Sequence, residues 1–540
     1  MKFFSRKTRR PVSPKLRTVT LHLERLEERL VLSGFGPEDG AYIVEPWSGG
    51  YSDVQIQPAN QKIVAAGGIT VNPTTTSDPG VALARYDSVG NPDTSYGSGG
   101  LSTTTLGYGS PGLALQPDGK AVVAAKGSSG YFGAARFTTN GSLDTSFGSG
   151  GFSGVNLGSY FQKPTGVGLQ STGKIVVGGF TAEFPDTFKR SSVLARFKAS
   201  GTTDSGTGGF GIVVKGKATG YTKEAFGAKT VQFGDVAIQQ DDKVVAVGNF
   251  SLTGSAAYQL IVARYTAAGI LDNTFNGSGY SVLTLPGISY TNGPGGSNGV
   301  AFQSDGKIVV VSTCPGVDGA SDMLVVRYNT NGSLDTTFGG GGGYVRLDID
   351  GTVSQTSEYG GDVTIQSDGK IVAVGSGSIN VLVARLDPDG TPDSTFGSGG
   401  FKIGAPPTGA DYHSFKARRV ALQSDGSIIV AGGTDNGHPL LMRFLPTTVS
   451  PLKVAGGAAP ASSHTAPLTS AQMQPVLTGV DISRLGSLDV RITELGASTF
   501  ATTVTEPFLS LGSSTASDLT QLATELVRGR AKRLRPASRG

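Results

Sequence analysis

The chain has 540 residues, among them 82 Gly, one Trp and one Cys, and carries a formal net charge of +4. The lone Cys314 excludes an internal disulfide framework. Seven Lys or Arg fall in residues 1–17 and six in 528–540, with no acid in either tail, so +4 less these thirteen leaves −9 for the body, which excludes a basic nucleic-acid-binding face.

At the N-terminus, "LHLERLEERLVLS" places Leu23, Leu26 and Leu30 three and four residues apart, the pattern of a short amphipathic helix. The basic leader before it lacks the 7–15-residue apolar run of an ordinary signal peptide. Nowhere does the chain reach the roughly 18 consecutive apolar residues of a membrane span.

From residue 34 the sequence repeats. Variants of "QSDGKIVVV" begin at Gln57, Gln116, Gln170, Gln239, Gln303, Gln366 and Gln423, and these marks span 366 residues in six periods, a mean of 61. Each unit reads as four strands: an apolar strand ending at Gln, a tight turn, a "KIVVV" strand, a strand around "LVVRY", and a Gly-rich approach to a last strand. That is one four-stranded propeller blade with generous loops.

Arg85, Arg136, Arg196, Arg264, Arg327 and Arg385 each precede an Asp by eight residues: Asp93, Asp144, Asp204, Asp272, Asp335 and Asp393. Fixed spacing implies a fixed turn, and one pair per blade between packed sheets reads as a hydrogen-bonded ion pair. The Gln-to-Arg gap instead varies from 19 to 28 residues. The length variation therefore falls on one face of the disc, the expected binding face.

The seventh unit stops at "LLMRFLP" without its last strand, and "GFGPEDGAYIVEP", Gly34–Pro46, has the shape of the missing one. The expected fold is all-β: a seven-bladed β-propeller of four-stranded antiparallel blades over 34–446, closed by an N-terminal strand that covers an open edge. Residues 1–33 form a leader and helix. Residues 447–540 form an Ala/Ser/Thr-rich linker and a C-terminal region with a short helix around "DLTQLATELV" and a basic tail.

The unit "QSDGKIVV … VVRYNTNGSLDTTFGGGGG" resembles the delta-60 repeat family, predicted β-propellers of many bacterial surface and secreted proteins. The resemblance spans about 34–446 and carries no catalytic signature. Unit three departs from it with "TTDSGTGG" where others have an aromatic before Gly, implying a weaker outer strand there. The segment "LERLEERLVLS" is similar to the N-terminal motif of planctomycete extracellular proteins, which implies export to the cell surface, the periplasm or the medium.

Three constellations carry chemistry. Asp387, Asp389 and Asp393 in "DPDGTPD" have the spacing of a short Ca²⁺ loop, the only cofactor expected, although corresponding segments keep the turn and lose the ligands. Four residues before each Gln stand Asp53, Gly112, Gly166, Asp235, Gly299, Asp362 and Arg419, which would ring the mouth of a central channel. Converging carboxylates there would bind a cation or serve as acid and base. His22, His413, His438 and His464 show no metal-ligand spacing, and no nucleophile elbow or phosphate loop appears.

The expected function is a non-catalytic, monomeric binding or scaffolding module for protein or polysaccharide, without nucleic-acid partners. The alternative is a polysaccharide hydrolase or lyase using the carboxylates at the channel mouth.

Overall fold

The computed structural model describes residues 35–446, apart from 37–38, 71–78, 107–110, 128–129, 160, 184–188, 229, 253–257, 285–298, 317–319, 350–356 and 407–410, together with strands 489–494 and 500–505. Both expected terminal helices, the linker, His22 and His464 lie outside the described residues. The chain divides into two units, Met1–Pro451 and Leu452–Gly540. In the second, Asp489–Glu494 pairs antiparallel with Phe500–Thr505.

The first unit is a succession of antiparallel meanders. The first comprises Gly49–Ile56, Ile63–Thr70, Pro79–Tyr86 and Leu101–Thr104. Five four-stranded sheets are separate, and the third and fourth meanders join into one eight-stranded sheet through a single parallel bridge, Arg190 to Thr230. In the seventh, the first three strands are Phe415–Leu422, Ile428–Thr434 and Pro439–Phe444, and the fourth is Ala41–Val44 from the start of the chain. Its register sets Ala41 opposite Arg443 and Val44 opposite Leu440. Phe35 is fully buried, whereas Tyr42, Ile43 and Val44 are only half-buried, as befits an outer strand.

Second and third strands lie between neighbouring sheets, so both their faces are dry. That is why runs such as "IVVGGFTA" and "SDMLVVRY" are buried at every position and read as continuous rather than alternating. The tight turn between first and second strands needs a left-handed residue. Gly306, at φ +81°, supplies it between the Gln303 carbonyl and the Lys307 strand.

Seven apolar cores fill the spaces between successive meanders, and one of them joins the last to the first through Tyr51, Val54 and Tyr86 against Ile429, Ala431 and Leu441. Each first strand lies against the first strand of the next meander, and the seventh against the first.

The third meander corrects the expectation of a weak outer strand. Tyr221–Glu224 forms its fourth strand after an inserted hairpin, Val213–Val214 with Lys217–Ala218, and Phe210 supplies the displaced aromatic.

Candidate functional site

The Arg–Asp pairs form in all six meanders that carry them, with Arg Nε 2.7–2.9 Å from the Asp carboxylate. A third partner is the Lys of the preceding tight turn: Lys62, Lys120, Lys174, Lys243, Lys307 or Lys370, at 2.7–3.6 Å from the same carboxylate. Each guanidinium stacks on an aromatic, from Tyr96 to Phe396, at 4.4–4.8 Å. Its Nη1 donates across to a carbonyl of the next meander, such as Thr139, Thr330 or Pro446.

One side chain thus holds its own turn and ties its sheet to the neighbour. Burial pushes the Asp335 and Asp393 carboxyls up. Hydrogen bonds from Thr337 and Thr395 and the flanking Lys and Arg outweigh it, and both stay well below the usual carboxylate range.

The seventh meander breaks the pattern on both acid and Lys. Arg443 has no Asp eight residues on, and Ser427 stands where the Lys would be. Arg443 instead donates to the Gly36 carbonyl at 2.6 Å and packs over Phe35 at 5.4 Å.

The channel constellation is set by backbone irregularity. Register shifts separate Tyr51 from Asp53, Phe233 from Asp235, Gly360 from Asp362 and Ala417 from Arg419, so a β-bulge re-aims each side chain out of its own sheet. Asp53 accepts from the amide of Leu113 at 2.6 Å, and Asp362 from that of Val420 at 3.0 Å, each in the following meander. The glycine at 299 is a steric requirement, because a Cβ there would lie 2.1 Å from Asp362 Oδ1.

Arg419 reaches from the seventh meander to the fourth. Its Nη2 is 3.3 Å from Asp235 Oδ1 and its Nη1 3.5 Å from Asp362 Oδ1. Asp53, Asp362 and Arg419 retain only 8, 8 and 6% of their exposure. Burial pushes the Asp53 carboxyl up to about 7 while Arg419 pulls against it, and burial likewise raises Asp235 and Asp362. Burial disfavours the charge on Arg419, but Asp235, Asp362 and Asp53 outweigh it and hold the guanidinium charged.

The sequence therefore names residues that do meet, but they meet among the packed first strands, around the Arg419 guanidinium.

The "DPDGTPD" carboxylates turn to separate partners. Asp387 pairs with Lys370 at 2.5 Å, Asp389 accepts from the Thr391 amide and hydroxyl at 2.9 and 2.7 Å, and Asp393 pairs with Arg385 at 2.7 Å. Among the described residues no group of three or more His, Cys, Asp or Glu has a metal-holding arrangement. His413 lies 3.5 Å from Asp435, and His438 Nδ1 is 3.2 Å from the Trp47 carbonyl. The turn Lys was missed, although its recurrence four or five residues after Gln in six units was a readable signal.

Four stretches, 116–147, 239–275, 303–338 and 366–396, match a family model described as Domain of unknown function (DUF5122) beta-propeller. The repeats are β-propeller repeats.

A comparison with curated proteins finds no match. Solved structures similar to the chain include the polysaccharide lyase Uly1, at 10% identity over 73% of this chain and 90% of that one, TM-score 0.40. A protein of unknown function from Dyadobacter fermentans DSM 18053 is similar at 8% identity, over 76% and 99%, TM-score 0.40. Drosophila Plexin A in complex with Semaphorin 1b is similar at 9% identity, over 76% and 88%, TM-score 0.39. In the propeller repeats of this chain, the recurrent polar residues serve the contacts between blades. No helix among the described residues is long and apolar enough to cross a membrane.

Proposed function

We propose that the chain is an exported, seven-bladed, closed propeller that binds protein or polysaccharide through its variable-loop face and performs no catalysis. Closure is supported by the seventh core and by the pairing of Ala41–Val44 with Pro439–Phe444. The export reading rests on residues 1–33 of the sequence.

The observation that carries the binding assignment is a contrast between the two faces. Turns on one face are bound up in the Arg–Asp–Lys network. Among the described residues, the exposed aromatic side chains Tyr131, Phe161 and Tyr359 stand on the other, at first-strand starts or second-to-third connections. Exposed aromatics are the usual anchors of recognition surfaces. Against the lyase or hydrolase alternative stands Arg419, which neutralises and covers the carboxylates such chemistry would use.

The test is a screen of the full chain against glycans and surface proteins, repeated after replacing the connections at 71–80, 181–192 and 314–322. Loss of binding is expected. Binding that survives all three replacements and instead fails on altering the Asp-Gly turns reverses the faces.

A further inference from the structure

The first strands run inward from the variable-loop face, so residues preceding the Asp/Gly/Arg ring lie nearer that face. Three residues before the ring the described members are Gly50, Lys163, Gln232, Tyr359 and Lys416, and Arg418 stands at the bulge one residue before it. This level holds cations and no acid.

Lys163 belongs to the third meander and Arg418 to the seventh, yet Lys163 feels the Arg418 charge. Burial lowers the Lys163 ammonium below its usual range, and repulsion from Arg418 and Arg190 lowers it further. Arg418 is exposed, like Lys416 two residues before it, and partial desolvation by the surrounding protein lowers its guanidinium too. Among the described residues, the side chains of Lys163, Lys416 and Arg418 have no ion pair or hydrogen bond, unlike the turn lysines of the opposite face.

Like charges gathered without counter-charge cost stability, and a ligand anion relieves that cost. A second observation is independent of charge: Gln232, 7% exposed, accepts from Arg190 Nη1 at 2.7 Å while its buried Nε2 donor has no acceptor. Around this level stand flat apolar faces. Tyr359 is exposed at the same level, and Phe161 lies exposed two residues before Lys163 with Lys126 Nζ 5.8 Å over its ring.

We propose that this end of the channel binds an anionic polysaccharide. Lys163, Lys416 and Arg418 pair its carboxylate or sulfate groups, Gln232 Nε2 donates to an oxygen, and Tyr359 carries a sugar ring. The inference rests on the variable-loop face being the binding face, and gives that face a ligand charge.

The experiment titrates the full chain with polygalacturonate, dextran sulfate, uncharged dextran and polyglutamate, at low and high salt. Binding of polygalacturonate or dextran sulfate but not dextran, weakened by salt, is expected. K163Q/R418Q should weaken it about tenfold or more, and K416E, at an exposed position, should weaken it alone. K198Q/K217Q, removing two charges from the opposite face, should leave it unchanged, with thermal melts verifying the fold of each variant.

Equal binding of dextran, binding indifferent to both channel variants, or binding of polyglutamate in place of the polysaccharides overturns the inference. Absence of binding to every probe also overturns it, and leaves the broader reading of the face to the loop-replacement screen.

Discussion

Arg327 and Arg443 occupy the same place in their repeats and do different work. Arg327 satisfies Asp335, which is 3% exposed, stacks on Phe338 and reaches Pro388, so its removal leaves a buried carboxylate with only Lys307 and Thr337 to hold its charge. Arg327→Ala should cost about 3–5 kcal/mol in urea unfolding. Arg327→Lys should recover little of this, because an ammonium lacks the planar fork that serves three partners. Arg443→Ala strands no carboxylate and should cost less.

Asp53 responds to its surroundings in the opposite sense from Asp335. Its folded form holds a proton up to about pH 7, whereas the unfolded chain releases it near the ordinary carboxyl value of 3.8. Stability therefore falls as pH rises between those two values, by at most about 1.4 kcal/mol for each pH unit. Asp335 and Asp393, held low, contribute stability above about pH 4 and lose it only in stronger acid. Asp53→Asn should flatten the decline between pH 5 and 7, read from unfolding midpoints. An equally steep decline in the variant would refute the assignment.

Among the elements, the third meander shows what a repeat tolerates. The inserted hairpin leaves Val213 and Val214 59 and 54% exposed, while Phe210 returns to full burial under Arg196. Phe210→Ala should cost about 3–5 kcal/mol through the cavity it leaves in the core with the fourth meander. Val213→Ser with Val214→Ser should be nearly neutral.

Spacing alone hid Phe210, because the insertion moved it off the register that marks Tyr96 and Phe147. Features that recur in register were legible: four strands per unit, the Arg–Asp turns and the residues of the axial ring. The depth of that ring and the role of Arg419 as its cover were not, since they depend on bulges and on a reach between meanders seven and four. The cations Lys163, Lys416 and Arg418 were also missed. They share no motif, and only the alignment of first strands brings them to neighbouring levels.

For the whole molecule, the seam of the seventh meander governs integrity. Deleting residues 34–46 uncovers the backbone of Pro439–Phe444 and removes Phe35 from the core shared by first and last sheets. Aggregation or a markedly lower melting temperature should follow, monitored by light scattering during heating, whereas deletion of 1–33 should leave the melt nearly unchanged. Moving 34–46 to follow Pro446 through a short Gly-Ser linker should preserve the fold, because the strand needs its place and not its order.

The same seam has a mechanical consequence. Ala41 faces Arg443, so the chain enters and leaves at one end of a single antiparallel pair. Ladder hydrogen bonds run perpendicular to such strands. Tension drawing the two ends of the chain apart therefore acts along those bonds and breaks them in sequence, as a zipper opens, rather than shearing them together. Stretched this way, the molecule yields first by peeling Ala41–Val44 from its neighbour, while the first six meanders, each made of continuous chain, stay folded behind the opening.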